Sequence, residues 1–463
     1  MKRKYYFAVL LILFEIGFII SPVSCLAQIW VRRYNGPGGD GDVARDVAID
    51  GSGNVYVTGD SYGSSKDVDY TTIKYDSSGN TIWVKRYNGP GNWHDEVRAI
   101  AIDKDGNVYV TGNSVGLNAD YDYATIKYDP LGNIKWVGRY DGSANDDDDI
   151  AHAIAVDRSG NVYVTGTCTN SGTGSDYVTI KYSPTGDVMW VKKYNGPGNG
   201  LDVAYAMVVD DSTNVYITGL SEGSFTGTDY ATIKYNSSGK VIWIRRYNGV
   251  DDSIDIAEDI TVDDKGNVYV TGYSYSSGKD WDYSTVKYDP TGNIKWVRRY
   301  NGPGNDYDIA EAIEVDNNGY IYVTGVSYGL GTDGDFATIK YDSTGDIMWV
   351  RRYNGPGNDY DGAEAIVVDD NGNIYVIGES YGLGTGRDYI TIKYTQSGDV
   401  VWVKRYNGPG NGDDEAQAIS IDKRGYIYVV GSSVGLDGFS DFTTIKYSAL
   451  DSVEATKSRN KSE

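Results

Sequence analysis

Residues 99–136 read AIAIDKDGNVYVTGNSVGLNADYDYATIKYDPLGNIKW, and this stretch decides the fold. It contains four landmarks in order: an Ala-rich run that ends in Asp103, the run VYVTG at residues 108–112, the run TIKY at residues 125–128, and Trp136. The landmarks are short, are rich in Val, Ile, Thr, Tyr and Trp, and are bounded by Gly, Asn and Asp. This pattern is typical of β-strands separated by turns, so the stretch predicts four strands.

The same landmarks recur along the chain, which indicates an internal repeat. Tryptophan marks the period, because successive copies lie 53 residues apart except for one interval of 54. The eight copies are Trp30, Trp83, Trp136, Trp190, Trp243, Trp296, Trp349 and Trp402. No stretch after residue 27 shows a sustained helical period, so the repeat predicts an all-β fold.

Eight units of four strands predict a single eight-bladed β-propeller, with four-stranded sheets arranged around an axis. A solenoid would need atypical capping repeats, and the sequence shows none. The Ala-rich strand has the smallest residues, so we expect it innermost, and the Trp strand outermost. The first outer strand, Trp30 to Tyr34, precedes any complete unit, and the last unit ends at its third strand. We therefore expect the N-terminal strand to complete the last blade and close the ring, which removes exposed sheet edges.

The segment from Asp103 to Gly112, followed by Asp122-Tyr123 and by TIKY at residues 125–128, resembles the bacterial SBBP-type β-propeller repeat. The resemblance covers residues 30–447 and implies a propeller fold in a cell-envelope setting, without implying an activity. The family name implies seven blades, whereas the repeats number eight. A seven-bladed ring with an extra unit is therefore the alternative to eight blades.

The sequence predicts three parts: a signal peptide over residues 1–27, a propeller over residues 28–447, and a disordered polar tail over residues 448–463. Lys2, Arg3 and Lys4 precede an apolar run over residues 5–20, which is typical of a secretory signal. Cleavage is expected after Ala27, and lipidation at Cys25 is an alternative. We expect an exported protein that is periplasmic, extracellular or on the cell surface, is monomeric, and has no transmembrane segment once the signal is removed.

The chain carries a formal net charge of −23, which argues against nucleic acid as a partner because phosphates would be repelled. Its acidic residues are concentrated in the longer loops, which connect the second to the third strand and the outer strand to the next inner strand. Alternation of strand direction places both kinds of loop on one face of the propeller, which we call the long-loop face. Function is expected there, because long loops on a rigid scaffold often carry binding sites.

One aligned position of the inner strand changes from basic to acidic around the ring, while its neighbours stay small or apolar. Variation between the units at one aligned position can indicate function, so these residues are candidates for holding a polar ligand at the channel mouth. The alternative is neutral variation at a solvated position. The candidates are Arg45, Arg98, His152, Tyr205, Glu258, Glu311, Glu364 and Gln417.

A second aligned position carries Asp in every unit, directly before the inner strand. These carboxylates are candidate metal ligands, with Ca²⁺ as the possible ion and no other cofactor predicted. The alternative is that each Asp caps its own turn, which the eightfold recurrence favours. The residues are Asp42, Asp95, Asp149, Asp202, Asp255, Asp308, Asp361 and Asp414.

The sequence contains only two histidines and no recognisable nucleophile elbow, so no catalytic residues are assigned. We expect a non-catalytic scaffold that binds a protein or glycan partner through the acidic long-loop face. Trp93, Trp281 and Tyr360 lie on long loops and could stack on sugars. The alternatives are a carbohydrate-active or quinoprotein-like periplasmic enzyme and a structural component of the cell surface.

Overall fold

The computed structural model describes residues 28–142, 148–170, 172–276 and 280–448. The predicted signal peptide with Cys25, and the predicted tail beyond Ser448, lie outside the described residues. Within them the chain forms thirty-two β-strands and no helix. No described segment is a helix long and apolar enough to cross a membrane.

The strands fall into four sets according to their place in a blade. The inner strands are β2 (Val43–Ile49), β6 (Asp95–Ile102), β10 (Asp149–Val156), β14 (Asp202–Val209), β18 (Asp255–Val262), β22 (Asp308–Val315), β26 (Asp361–Val368) and β30 (Asp414–Ile421). The second strands are β3 (Val55–Tyr62), β7 (Val108–Val115), β11 (Val162–Asn170), β15 (Val215–Glu222), β19 (Val268–Tyr275), β23 (Ile321–Gly329), β27 (Ile374–Tyr381) and β31 (Tyr426–Val434). The third strands are β4 (Val68–Tyr75), β8 (Tyr121–Tyr128), β12 (Gly174–Tyr182), β16 (Thr228–Tyr235), β20 (Trp281–Tyr288), β24 (Thr332–Tyr341), β28 (Arg387–Tyr394) and β32 (Ser440–Ser448). The outer strands are β1 (Gln28–Tyr34), β5 (Thr81–Tyr87), β9 (Ile134–Tyr140), β13 (Val188–Tyr194), β17 (Val241–Tyr247), β21 (Ile294–Tyr300), β25 (Ile347–Tyr353) and β29 (Val400–Tyr406).

These strands form eight antiparallel sheets of four strands each, and the sheets are the blades of a propeller. Blade 1 contains β2 to β5, and blades 2 to 7 follow in chain order. Blade 8 has the order β30, β31, β32 and β1, so the N-terminal strand is its outer strand. Eight blades and this closure are confirmed, and the seven-bladed alternative is wrong because all eight units pair into one ring.

Each inner strand contacts the inner strands of the two adjacent blades, and β30 of blade 8 contacts β2 of blade 1. The predicted order, from the Ala-rich strand at the axis to the Trp strand at the rim, is therefore confirmed. Ala44 is fully buried and Ile82 on an outer strand is half exposed, which fits a wedge that is crowded at the axis. The order follows from side-chain size.

The hydrophobic core lies between blades. One buried cluster joins Tyr56, Tyr70 and Trp83 of blade 1 to Val108 and Ile126 of blade 2. The second and third strands are buried on both faces, whereas the inner and outer strands are only partly covered. Burial of apolar surface against the neighbouring blade therefore holds the ring together.

A girdle of hydrogen bonds links each blade to the next. Trp83 Nε1 and Lys74 Nζ of blade 1 both donate to the carbonyl of Pro130 in blade 2, at 3.3 and 3.0 Å. Lys446 Nζ and Trp30 Nε1 of blade 8 likewise donate to the carbonyl of Ser77 in blade 1. The repeated Trp and Lys side chains therefore link adjacent blades by hydrogen bonds in addition to packing between them.

The short turns form the face opposite to the long-loop face. In the turn between inner and second strands of blade 2, Asp103 accepts from the backbone N–H groups of Asp105 and Asn107, from the Asn107 amide and from the Tyr109 hydroxyl. Both carboxylate oxygens are thus occupied within a tight hairpin, in which Gly106 has a φ of 80°. This face is uniform and internally satisfied.

Candidate binding site at the channel mouth

Every inner strand contains a one-residue β-bulge near its start, at the end that meets the long-loop face. In blade 1, Ala44 pairs with Gly59 and Asp46 pairs with Thr58, so Arg45 between them has no partner. The bulged residues are Arg45, Arg98, His152, Tyr205, Glu258, Glu311, Glu364 and Gln417. They are the same eight residues that the sequence singles out as variable, and we call this ring the mouth.

The glycine of the VYVTG run explains why the bulge recurs. A Cβ built on Gly59 would lie 2.1 Å from the carbonyl oxygen of Val43 and 2.7 Å from the Cα of Ala44. The equivalent Gly112 is equally close to its inner strand, at 2.1 Å from the carbonyl oxygen of Glu96. A bulge brings the inner strand against this position and redirects the bulged side chain. The repeated glycine is thus the sequence signal for the mouth.

One side of the mouth is basic and internally paired. Arg45 Nε lies 2.8 Å from Asp60 Oδ2, and the other oxygen of Asp60 accepts from the N–H of Val97 in the next blade. Arg98 Nη2 lies 2.8 Å from Glu96 Oε2. We call Arg45 and Arg98 the arginine wall. Each arginine there already has its own carboxylate.

The opposite side is acidic. In a ring of eight blades, Arg45 in blade 1 faces Glu258 in blade 5 across the axis. Burial, together with the charges of Glu364 and Glu258, raises the pKa of Glu311 to about 8. Burial likewise raises the pKa of Glu258 to about 7, with Asp259 adding repulsion. Burial and the charges of Glu379 and Glu415 raise the pKa of Glu364 to about 7 as well.

These three glutamates, which we call the acid wall, are half-buried on three adjacent blades. Among the residues that the structure describes, no arginine or lysine forms an ion pair with any of them. The neighbouring Glu379 and Glu415 are instead paired with Arg387, at 2.9 and 2.8 Å. The acid wall therefore has no paired cation in the described part of the protein, and its carboxyl groups are partly protonated near pH 7.

His152 and Tyr205 lie between the two walls, and their rings meet edge to face at 5.6 Å. Burial and the charge of Arg98 lower the pKa of His152 to about 4, so the imidazole is neutral at pH 7. Burial and Glu258 raise the pKa of Tyr205 to about 12. Gln417 of blade 8 completes the ring. The mouth thus changes in steps from basic through neutral to acidic.

Aromatic side chains line the long-loop side of the acid wall. Tyr273 and Trp281 of blade 5 have ring centroids 5.0 Å apart, Trp281 and Tyr307 are 5.5 Å apart, and Tyr307 and Tyr328 are 6.2 Å apart. We call these four residues the aromatic row. Burial, Glu258 and Glu311 raise the pKa of Tyr273, which shows that the row adjoins the acid wall.

Tyr360 extends the row into blade 7. A Cβ built on Gly334 would lie 3.1 Å from its ring, so the absence of a side chain at residue 334 provides room for the ring. Burial and the charges of Glu364, Glu379 and Glu311 raise the pKa of the Tyr360 hydroxyl. Of the aromatic residues that the sequence suggested, Trp281 and Tyr360 lie at the acid wall. Trp93 lies apart, in the loop before blade 2, beside His94.

The eight candidate metal ligands lie just outside the mouth. Each is buried at the start of its inner strand and accepts the N–H of a loop glycine, at 2.5 to 2.6 Å. Burial raises the pKa of all eight, and those of Asp149, Asp255 and Asp308 reach about 6. The geometry is that of a capped turn in each blade, and Ca²⁺ binding at Asp42, Asp95, Asp149, Asp202, Asp255, Asp308, Asp361 and Asp414 stays a prediction.

Sequence reasoning missed one carboxylate cluster. Asp122, Asp141 and Asp149 bring oxygen atoms within 4.8 Å of one another. Asp141 stands where seven other units have Asn, so the signal was a single substitution in the loop. The adjoining residues 143–147, which include Asp146 and Asp147, lie outside the described residues.

Sequence reasoning also missed a set of exposed apolar side chains at the tips of the loops between second and third strands. They occur in five blades, they belong to the long-loop face, and their exposed fractions range from 79% to 95%. We call them the loop tips: Leu117, Phe225, Leu330, Leu383 and Leu436. The signal was present as the dipeptide Gly-Leu in four of these loops.

Six segments of the chain match the model of the SBBP family, described as a beta-propeller repeat. The segments are residues 29–65, 82–118, 138–172, 242–278, 349–384 and 401–439. They fall in step with the Trp-marked repeat, and the match supports the family that the sequence resembles.

The chain is 22% identical over 436 residues to an uncharacterized WD repeat-containing protein of Acanthamoeba polyphaga mimivirus. The alignment covers 66% of this chain and 31% of that protein, so the chain spans about a third of the relative's length.

Among solved structures, the chain is similar to the WD40 domain of SCAP from fission yeast, with a TM-score of 0.49 and 11% identity, covering 91% of this chain and 98% of that one. It is also similar to puromycin hydrolase, with a TM-score of 0.47 and 12% identity, covering 85% of this chain and 60% of that one. At these values neither likeness bears on function.

Proposed function

We propose that this chain, a β-propeller whose repeats match the SBBP family, is an exported, non-catalytic scaffold that binds a protein partner on its long-loop face. The observation that carries the proposal is the set of exposed loop tips around the mouth. A rigid ring that presents many loops at fixed positions is well suited to recognition.

The loop tips are large apolar side chains with little cover. Phe225 is 95% exposed and Leu117 is 88% exposed. Single exposed apolar residues are common, so the support lies in their recurrence at the tip of the same kind of loop in five blades. Further exposed apolar side chains, Leu201, Ile254 and Tyr307, belong to the same face. Burial of these side chains against a partner would supply apolar contact area.

The apolar side chains exposed near the short-turn face lie mostly on the outer strands that follow its turns, as at Ile82, Ile134 and Met348, and they are only about half exposed. The turns of this face are saturated by their own hydrogen bonds, as at Asp103 and Asp129. Among the described residues of these turns, Leu131 at 76% is the large apolar side chain that stands exposed. The contrast between the faces supports docking on the long-loop side, where the repeats also vary in sequence.

Export is proposed from the sequence alone. Lys2, Arg3 and Lys4 followed by an apolar run over residues 5–20 fit a secretory signal. N-terminal sequencing of the mature protein is expected to begin at Gln28. An unprocessed Met1, in a cell that secretes other proteins, would contradict export.

Docking is tested by selecting peptides from a display library on the purified protein and measuring their affinities for variants. The double variant Leu330→Ser with Leu383→Ser removes two loop tips, and we expect about a tenfold loss of affinity for the selected peptides. The matched control is Leu131→Ser, which removes an equally exposed leucine from the opposite face and is expected to leave affinity unchanged.

Two outcomes would overturn the docking proposal. One is that no peptide is enriched over a propeller-free surface. The other is that the loop-tip variant and the Leu131→Ser control bind the selected peptides equally. Turnover of a glycan or an alcohol by the purified protein would contradict the non-catalytic part of the proposal.

A further inference from the structure

We propose that the acid wall and the aromatic row form a subsite that receives one basic side chain, arginine or lysine, of the partner docked on the long-loop face. The inference rests on the proposed function and adds the chemistry of the anchoring group. It combines three features: uncompensated carboxylates, an aromatic surface beside them, and paired arginines on the far side.

The bulges place three carboxyl groups at equivalent positions on adjacent blades. Glu258, Glu311 and Glu364 are the bulged residues of blades 5, 6 and 7. Both neighbours in this series raise the pKa of Glu311, whereas burial and Asp259 raise that of Glu258, and burial, Glu379 and Glu415 raise that of Glu364. A cation between them would replace this repulsion by attraction, which is the electrostatic complementarity that selects partners.

The aromatic row supplies the second element of a subsite for an organic cation. Tyr307 is 44% exposed and lies 5.5 Å from Trp281, which continues to Tyr273 beside Glu258. A guanidinium or ammonium group is attracted to the face of such rings, and arginine also stacks on them. The aromatic rings therefore favour a side chain over a bare metal ion, since Ca²⁺ prefers oxygen ligands.

The arginine wall strengthens the choice of position. Asp60 and Glu96 are paired with Arg45 and Arg98, so these two carboxylates are not free to attract a cation. Their own charges disfavour a cation on the side of blades 1 and 2. A basic side chain that enters the mouth is thereby directed towards blades 5 to 7, where Arg387 is already occupied by Glu379 and Glu415.

The apolar loop tips indicate a polypeptide as the source of the cation. A free amine or a polyamine offers little apolar surface to cover the exposed leucines. A protein could bury them around a central basic side chain. Central anchors surrounded by apolar contacts are the usual arrangement at protein interfaces, and arginine is among the residues favoured there. The net charge of −23 would speed the approach of a basic partner.

Binding of a cation has a consequence that a neutral ligand lacks. The glutamates of the acid wall hold part of their protons near pH 7, because burial and nearby carboxylates raise their pKa values. A bound guanidinium would lower those pKa values, so protons would leave the protein on binding. Titration calorimetry at pH 7 in two buffers of different ionisation enthalpy measures this release directly.

The probe is the tripeptide acetyl-Gly-Arg-Gly-amide, compared with the same peptide in which neutral citrulline replaces arginine. Calorimetry and NMR titration of the full chain are expected to show at least about tenfold tighter binding of the arginine peptide, with proton release. Glu311→Gln is expected to lower that affinity about tenfold, and Tyr307→Ala several-fold.

Glu314→Gln is the matched control. Glu314 lies on the same strand as Glu311, is likewise half-buried, and stands at the short-turn end of the strand; burial, with the charge of Asp259, raises its pKa to about 7. The Glu314→Gln substitution removes a carboxyl group at the end of the strand that is far from the mouth. The affinity for the arginine peptide is therefore expected to stay the same. Thermal melting of each variant shows whether it is folded.

Equal binding of the arginine and citrulline peptides would overturn the inference, as would binding of the arginine peptide without proton release. Binding of chitotetraose in place of the arginine peptide, lost in Tyr307→Ala and kept in Glu311→Gln, would show a glycan site and overturn it too. If the tripeptide fails while display-selected peptides still depend on Leu330 and Leu383, the cation subsite is wrong and docking on the long-loop face stands.

Discussion

The two walls of the mouth have the same backbone and opposite electrostatics. In blade 1 the bulge presents Arg45 to a buried carboxylate, Asp60, at 2.8 Å. In blade 6 the same bulge presents Glu311 to two further glutamates, and the second-strand position that Asp60 occupies in blade 1 is Val326. The comparison shows that the repeated backbone determines the position of the bulged side chain. The residues of each individual unit determine whether that side chain has an ion-pair partner.

An unsatisfied wall costs stability, because ionised glutamates repel one another at a half-buried site. Proteins retain such groups mainly where they serve binding or chemistry. The paired wall is thus a structural element, and the acid wall is the part of the ring that a ligand would complete. Three predictions test this difference, from the largest expected effect to the smallest.

Breaking the pair on the arginine wall should have the largest effect. Asp60→Asn removes the ion pair with Arg45 and weakens the acceptor for the N–H of Val97, so we expect the free energy of unfolding to fall by about 2 kcal/mol. Urea denaturation at pH 7 measures the loss. Glu96→Gln, which breaks the more exposed pair with Arg98, should cost less than about 0.5 kcal/mol. Equal losses would show that burial does not distinguish the two pairs.

Neutralising the acid wall should stabilise the protein, and only at higher pH. The pKa of Glu311 is about 8 in the folded chain against an ordinary value of 4.5. As pH rises from 4.5 to 8, the unfolded chain loses this proton and the folded chain retains it, so the stability of the protein falls and then levels off.

Glu311→Gln removes that penalty. We expect the variant to gain about 1 kcal/mol at pH 9, with partial solvent screening allowed for, and nothing at pH 4. Urea denaturation across this pH range measures the difference. A variant that is less stable than the parent at pH 9 would mean that a cation of the protein already compensates the acid wall.

The smallest effect concerns the boundary between the walls. The charge of Arg98 lowers the pKa of His152 in addition to burial. Arg98→Gln should therefore raise the pKa of His152 by roughly half a pH unit, since the burial remains. The chain has two histidines, so NMR titration with His94→Gln as the assignment control resolves the change. An unchanged pKa would place Arg98 further from the imidazole than the structure does.

Much of the fold could be predicted from the sequence because the strand and turn pattern of one blade recurs eight times. The Trp spacing predicts eight blades, and the lone strand at Trp30 predicts the closure that β1 and β32 form. The eight variable residues of the mouth could also be named from alignment of the units. The seven-bladed alternative came from the family name and was wrong, since every unit pairs into the ring.

The rest of the site could not be predicted from the sequence of any single repeat unit. The aromatic row joins Trp281 of blade 5 to Tyr307 and Tyr328 of blade 6, residues that no periodicity relates. The loop tips lie in separate units, and Leu131 is an equally exposed leucine on the other face. Which leucines share a face depends on strand direction within each blade.

By itself, the sequence determined the number of blades, the order of strands within them and the positions where the units differ, because periodicity, side-chain size and turn residues are local properties. Only the tertiary structure decided which charges are paired. Asp60 lies next to Arg45 because two antiparallel strands bring them into register, and Glu311 lies next to Glu258 and Glu364 because adjacent blades do so. Pairing is a matter of distance in space, and in this protein distance is set by ring closure and by the bulge in every inner strand.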